Sequence, residues 1–307
     1  MKILLTGSSG TIGTRLFETL LQQGHDVTGI DRRSNVWRPD LNSRTLQIDL
    51  LDSDALAAAP SADIIIHFAA NARVYDLVKT PSMALENAIT TFHVLEFARK
   101  QKIKKIIFSS SRETYGNIMK GKAIREEEVF IQNCESPYAA SKFTNEAYLH
   151  SYAASYGMQS IIFRFSNVYG MYDNSNRVIP LWISQLRGNK DIVVYGKEKT
   201  LDFTYIDDCV DGVVSAIRQF SRVAGQTFNL GYGKDVSLVY VAQKLSMLFN
   251  ARSRIHVSEN RTGEVWKFRA NISKAKKYLV YQPKIGIDEG LIKTVAWYQI
   301  NLPEWIV

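Results

Sequence analysis

Short apolar runs punctuate the first half of the chain, at Lys2–Leu5, Val27–Ile30, Leu46–Ile48, Ile64–Phe68, Ile106–Ser109 and Ile161–Phe165. Each is too short for a helix and rich in β-branched residues, so each is expected as a strand buried on both faces. Between several of them, apolar residues recur at helical spacing: Ile12–Gln23, Met83–Lys100 and Tyr138–Tyr156. Buried strands alternating with amphipathic helices predict an α/β fold with a doubly wound parallel sheet. After Gly170 the pattern loosens. Helices are expected at Ile179–Arg187, Asp208–Phe220, Leu238–Phe249 and Asp288–Trp297, with short strands among them. The expected division is 1–170 for the sheet and 171–307 for a smaller α/β lobe, with the segment around 203–232 packing back on the first.

Gly7-Ser-Ser-Gly10-Thr-Ile-Gly13 follows the first expected strand and opens the first helix. Glycines there let the backbone turn sharply and approach a pyrophosphate, whose charge the helix N-terminus favours. Asp31 ends the second strand, where a carboxylate accepts hydrogen bonds from ribose hydroxyls. Together they point to a Rossmann-like dinucleotide site. The same carboxylate repels a 2′-phosphate and so favours NAD over NADP, although Arg32 and Arg33 directly after it are able to pair with such a phosphate. Asp49-Leu50 closes the third strand, where Asp49 suits the adenine edge. The small Ala69 and Ala70 after the fourth let a dinucleotide lie close. His67, alone within an apolar run, reads as a satisfied core residue.

Ser136-Pro137-Tyr138-Ala-Ala-Ser141-Lys142 begins with an N-cap residue and a proline suited to the first helical position. Tyr138 and Lys142 then stand one turn apart on one face. A phenol titrates near 10 and needs help to act as a base at neutral pH. A neighbouring ammonium and the positive nicotinamide of oxidised NAD both favour phenolate. Upstream, Ser109-Ser110-Ser111 ends the fifth expected strand and offers a hydroxyl to the same substrate alcohol.

With these motifs in order, the chain resembles the NAD-dependent epimerase/dehydratase family, the extended short-chain dehydrogenases, and most of all its UDP-glucose 4-epimerases. The resemblance spans nearly the whole chain: GxxGxxG, Asp31, Asp49-Leu50, HFAA, Asn87, SSSxxxYG, YxxxK, Arg164-Phe-Ser-Asn167-Val-Tyr-Gly170, Asp202-Phe203 through Asp208, and Arg261-x-Gly263-Glu264. It implies Ser111 as catalytic hydroxyl, Tyr138 as base and Lys142 as the residue orienting the nicotinamide ribose. Gly7, Gly10, Ile12, Gly13, Asp31, Asp49, Leu50, Ala69, Ala70 and Phe165 would surround NAD, Asn167 would contact the sugar nucleotide, and Arg261 its phosphates. Arg164 and Asn87 read equally well as anchors of strand and helix. The implied reaction is C4 epimerisation of a nucleoside-diphosphate sugar through a transient 4-keto species. Dehydratase, decarboxylase and oxidoreductase are the nearest rivals. An NAD-sensing protein without catalysis is the rival of another class, against which the retention of Ser111, Tyr138 and Lys142 speaks. The resemblance further implies a homodimer formed through the outer faces of Met83–Lys100 and Tyr138–Tyr156.

Two departures bear on the substrate. Leu201 stands where such epimerases often carry an arginine beside the diphosphate, leaving Lys199 to supply the charge. Ser111-Arg112-Glu113 differs from the hydroxyl-Asp-Glu of the sugar-nucleotide 4,6-dehydratases. Glu113 retains the place of their C5 base, but Arg112 is no proton donor near neutrality.

Composition narrows the rest. The chain has 46% hydrophobic and 22% charged residues, an ordinary globular balance. No run approaches the roughly 20 apolar residues of a membrane span, and Met1–Gly7 reads as a strand rather than a signal peptide, so no membrane partner and a cytoplasmic location are expected. Cys134 and Cys209 lack ligand spacing, which argues against a metal site. The net charge is +8. Its basic residues are interspersed with acidic ones, favouring an anionic small molecule over nucleic acid.

Overall fold

The computed structural model describes residues 1–119 and 121–301. Its centre is a sheet of seven parallel strands: β1 (Lys2–Thr6), β2 (Asp26–Asp31), β3 (Thr45–Gln47), β4 (Ile64–His67), β5 (Lys105–Ser111), β6 (Gln159–Phe165) and β10 (Thr227–Leu230). They lie in the order β10-β6-β5-β4-β1-β2-β3. Alternation along each strand feeds two cores. Ile3 and Leu5 of β1, Ile64 and Ile66 of β4 and Ile107 of β5 face one side. Leu4, Ile65, Ile106 and Phe108 face the other. Both faces are covered, which is why these strands read as continuous apolar runs.

On the first face lie α1 (Thr11–Gln22) and α7 (Ile206–Arg218), contributing Leu16, Phe17 and Leu20, and Val210 and Val213. On the second lie α4 (Ser82–Lys100) and α5 (Pro137–Tyr156), contributing Val94, Leu95 and Ala98, and Leu149 and Tyr152. Helix α5 starts as its sequence dictates: the Ser136 hydroxyl accepts the Ala139 N–H at 3.2 Å, Pro137 is the first helical residue, and Gly157 ends it in the left-handed region.

The strand order reverses between β4 and β1, opening a crevice at their carboxyl ends where ligands of doubly wound sheets bind. The second half of the chain builds the far wall. There β9 (Thr200–Tyr205) pairs parallel with β7 (Asn167–Tyr169) and antiparallel with β11 (Asp235–Ser237), while β12 (Ile255–Ser258) pairs parallel with β8 (Ile192–Tyr195). The chain also returns to the large sheet. β10 pairs with β6 along Thr227–Leu230, and Asp207 at the start of α7 accepts from Arg15 of α1 at 2.6 Å.

The remaining helices are α2 (Ser53–Ala57), α3 (Val74–Lys79), α6 (Val178–Arg187), α8 (Phe220–Val223), α9 (Leu238–Leu248), α10 (Ser273–Leu279) and α11 (Ile287–Asn301). Three of them, α2, α3 and α10, went unread in the sequence because one or two turns display no periodicity. The helix expected over Asp208–Phe220 is α7, which begins at Ile206 and ends at Arg218; Phe220 already opens the separate short α8. Among the described residues no helix is long and apolar enough to cross a membrane. On the outside of α4, Leu85, Ile89 and Phe92 are exposed along one face, and Tyr148 and Tyr156 of α5 are exposed beside them. The Phe92 and Tyr148 rings lie 6.3 Å apart.

Candidate active site

A cavity of about 630 Å³ runs along the carboxyl ends of the strands, from the glycine loop to Arg261. At one end the wall is backbone. Gly7 has a φ of +74°, and a Cβ there would stand 2.6 Å from the Ala69 nitrogen. A Cβ on Gly13 would collide with the Gly7 carbonyl. Helix α1 begins at Thr11 with no side-chain cap and no acidic residue in its first turn. Its first N–H groups therefore remain for an anion. Gly10, Ile12, Ala69 and Ala70 line the cavity around this terminus.

Asp31 is buried at the tip of β2, accepting from the Ser9 amide and the Arg33 amide, each at 3.0 Å. A carboxylate offers about four acceptor sites, so capacity remains for ribose hydroxyls. The Arg32 guanidinium donates to Asn71 Oδ1 at 3.2 Å. Asp49 lines the cavity and accepts the Leu51 amide at 3.0 Å, and Leu50 is buried beside it. Phe165, at the end of β6, packs edge-on against Phe68 at 5.5 Å. Uncapped helix, glycine cradle and buried carboxylate fit the pyrophosphate and adenosine ribose of NAD.

Midway along the cavity, β5 and α5 bring Ser111, Tyr138 and Lys142 together, all buried. Burial raises the Tyr138 phenol above its ordinary range. The charge of Arg177, a hydrogen bond with Ser111 and the charge of Arg112 pull it back down. Ser111 Oγ accepts the Glu113 amide at 3.2 Å. Lys142 Nζ donates to the Ser109 carbonyl at 2.7 Å and stands 5.8 Å from the centre of the Tyr138 ring. Burial lowers its ammonium to about 7, against the opposing charge of Glu146.

Residues that sequence reading left between two roles are anchors here. Arg164 makes a paired contact with Glu146 at 2.9 and 2.6 Å, and Ser110 donates to the same carboxylate at 2.5 Å. This fixes the end of β5 against α5, and with it Ser109 and Ser111. Asn87 exchanges hydrogen bonds with the Asn71 backbone at 2.7 and 2.9 Å and so holds the loop after β4. His67 is buried between the Thr6 and Thr91 hydroxyls at 2.7 and 3.1 Å, and burial lowers it to about 3, so it is a neutral core residue.

The far end is made of side chains from distant segments. Lys199 is buried and paired with Glu264 at 2.5 Å, and Arg261 lies 3.9 Å from Glu264. The Arg261 guanidinium also sits over the rings of Tyr195 at 3.9 Å and Tyr75 at 4.8 Å. Asn167 lines the cavity and donates to the Asp202 carbonyl at 3.2 Å, and Leu201 is a buried apolar part of the same wall. Glu113 accepts from Arg112 at 2.7 Å and from the Val265 amide at 3.2 Å, and burial raises its carboxyl above the usual range. Sequence reading missed Arg177, Tyr75 and Tyr195, which no motif marks. The basic residue just ahead of α6 was the only available hint. Among the described residues no cluster of side chains is arranged to hold a metal ion.

The sheet and the Ser-Tyr-Lys cluster beside a dinucleotide cradle define an NAD-dependent enzyme of the short-chain dehydrogenase type. Residues 3–231 match the model of the NAD dependent epimerase/dehydratase family, and the chain belongs to that family. It is similar to a UDP-glucuronate 4-epimerase of Thermodesulfobacterium geofontis, 30% identical over 97% of this chain and 96% of the other. Among solved structures, a UDP-glucose 4-epimerase of Thermotoga maritima with UDP-glucose is 28% identical, with a TM-score of 0.90 over 99% of this chain and 100% of that one. A UDP-glucuronic acid 4-epimerase of Bacillus cereus, in complex with UDP-glucuronic acid and NAD, is 28% identical with a TM-score of 0.88 over 98% and 99%.

Proposed function

We propose that the protein epimerises a UDP-sugar at C4 through a transient 4-keto species. The observation that carries this reading is a single cavity joining the glycine cradle, the buried Ser111–Tyr138–Lys142 cluster and the cationic Arg261–Lys199 wall. The names of the three relatives above, each a 4-epimerase of a UDP-sugar, support it, although dTDP-glucose 4,6-dehydratases also match over 99% of the chain at 26–28% identity.

The glycine loop, Asp31 and Lys142 would hold NAD, which when bound would supply a hydride acceptor for C4 and a hydride donor for the return. Tyr138 as phenolate takes the proton of the 4-hydroxyl, and Ser111 donates to the same oxygen while its own Oγ is steadied by the Glu113 amide. The Lys142 ammonium, pinned on the Ser109 carbonyl, favours the phenolate. After the keto sugar has turned its other face, Tyr138 returns the proton to O4. Arg261 and Lys199 hold the diphosphate throughout, with Lys199 exchanging its pair with Glu264 for phosphate. Glu113, whose oxygens are engaged by Arg112 and Val265, is read as an anchor and not as the C5 base of a dehydratase. In the same reading residues 1–170 hold the cofactor and 171–307 the sugar nucleotide, with 203–232 joining the two.

We also assign the exposed stripe Leu85, Ile89, Phe92, Tyr148 and Tyr156 to a homodimer contact. The expected mass in solution is that of a dimer, and Phe92→Asp should shift it to that of a monomer. A wild-type monomer at all concentrations contradicts the assignment. The reaction is tested by incubating the NAD-loaded protein with UDP-glucose, UDP-glucuronate and their N-acetyl analogues. Proton NMR is the readout, because mass is blind to epimers. The C4 epimer is the expected product, and a dehydrated or decarboxylated sugar overturns the reading.

A further inference from the structure

The wall beside the reacting alcohol carries a cation with an unmet hydrogen bond. Arg112 follows Ser111 directly in the chain, is 93% buried and lines the cavity with Ser111 and Tyr138. Its Nη2 donates to Glu113 at 2.7 Å, and its guanidinium stands 5.8 Å from the centre of the Phe268 ring. Its Nη1 is buried and has no hydrogen-bond partner among the described residues. An unmet buried donor is costly, the more so on a charged group, and such exceptions mark places completed by something else.

The surroundings say what completes it. Glu113 is engaged on both oxygens, by Arg112 and by the Val265 amide. Arg177 lines the same cavity, and its nearest carboxylate, Asp173, lies 3.9 Å away at the edge of ion-pair range. Both arginines line the same cavity as Ser111 and Tyr138, and both charges act on the Tyr138 phenol. The carboxylates nearest these two arginines, Glu113 and Asp173, are each within ion-pair range of one of them, so the wall beside Ser111 is dominated by donors. Carboxylate is the group that answers such a surface, accepting charge-assisted bonds from a planar guanidinium.

We infer that Arg112, supported by Arg177, forms a carboxylate subsite, and that the sugar of this enzyme is a hexuronic acid carried on a nucleoside diphosphate. This rests on the epimerase reading and sharpens it, since neutral hexoses and hexuronates differ only at C6. Arg112 is then a specificity residue, with Glu113 holding its guanidinium in place.

The test pairs UDP-glucuronate with UDP-glucose on the NAD-loaded protein, measuring kcat/KM for epimerisation and, separately, Kd by calorimetry. The wild type should favour the uronate about 10–100-fold in both, the range of a hydrogen bond to a charged group. In the double variant Arg112→Met, Glu113→Gln, chosen so that no buried carboxylate is left unpaired, that ratio should fall toward one. A ratio between two sugars in one protein is insensitive to a general loss of active molecules, and NAD binding checks the fold. Should the double variant fail that check, Arg112→Lys keeps the charge without the fork and should lose part of the preference. Equal or better handling of UDP-glucose by the wild type overturns the subsite and leaves the epimerase reading intact, as does a preference unmoved in the variants. A uronate preference in binding without turnover of either sugar supports the subsite and overturns the epimerase reading. Binding of neither overturns both.

Discussion

The two ends of the cavity are built from different materials. The cofactor end is backbone: a glycine turn, the open N-terminus of α1 and one carboxylate, all within the first 31 residues. The end proposed for the sugar nucleotide is side chain: Lys199, Glu264, Arg261, Tyr75, Tyr195 and Arg177, drawn from segments far apart in sequence. A backbone site tolerates few changes, because its shape depends on atoms every residue shares. A side-chain site retunes one residue at a time, and the two departures read in the sequence, Leu201 from the epimerase pattern and Arg112 from the dehydratase motif, both line this cavity. In the proposed reading, common cofactor chemistry belongs to the first end and sugar choice to the second.

The sharpest way to break the comparison lies between the two ends. Tyr138→Phe removes one oxygen and should cost turnover roughly 10²–10⁴-fold, the usual contribution of a positioned base, with NAD binding and fold retained. Near-normal turnover would show that the chemistry sits elsewhere in the cavity. At the backbone end, Gly13→Ala drives a methyl into the Gly7 carbonyl. Overpacking of this kind costs about 1–3 kcal/mol, and NAD affinity measured by calorimetry should fall accordingly. Asp31→Ala should weaken NAD by a comparable or smaller amount, about 1–3 kcal/mol if the ribose bonds are buried, and should narrow the margin over NADP. Stronger binding of NADP by the wild type would transfer the role to Arg32 or Arg33.

Smaller effects appear with pH. Lys142→Met deletes a cation beside Tyr138, so the phenolate becomes harder to form and the rising limb of the pH–rate profile should move to higher pH. Arg177→Ala should move it the same way, because Arg177 is the foremost charge holding the Tyr138 phenol down. An acid-side shift in either would reverse the assigned electrostatics. His67 titrates at about 3 in the fold against 6.5 ordinarily. Its stabilising contribution is present above pH 6.5 and is lost as pH falls toward 3, because the unfolded chain takes up the proton first. The slope is at most about 1.4 kcal/mol per pH unit. His67→Gln should flatten that part of an acid denaturation curve.

The same contrast explains what the sequence disclosed. The six apolar runs became strands because a sheet covered on both faces needs continuous apolar residues, and Ser136-Pro137 marked the start of α5 through local capping chemistry alone. The glycine loop, Asp31 and the Tyr138–Lys142 pair are local patterns with fixed spacing, so they could be read. Helices α2, α3 and α10 are too short to show a period. The stacking of Arg261 between Tyr75 and Tyr195 depends on tertiary approach, which no spacing encodes. Arg112 was visible only as a misfit in a motif, and its unmet Nη1 became evident once Glu113 and Val265 were seen to occupy each other.

In the proposed reaction hydride leaves C4 and returns to it without meeting solvent, while Tyr138 handles the hydroxyl proton. This is tested by running the reaction of the NAD-loaded protein with UDP-glucuronate and UDP-glucose in D2O and following the products by NMR. The expected product is a mixture of C4 epimers with protium retained at both C4 and C5. Deuterium at C5, loss of water or loss of the carboxylate would contradict it.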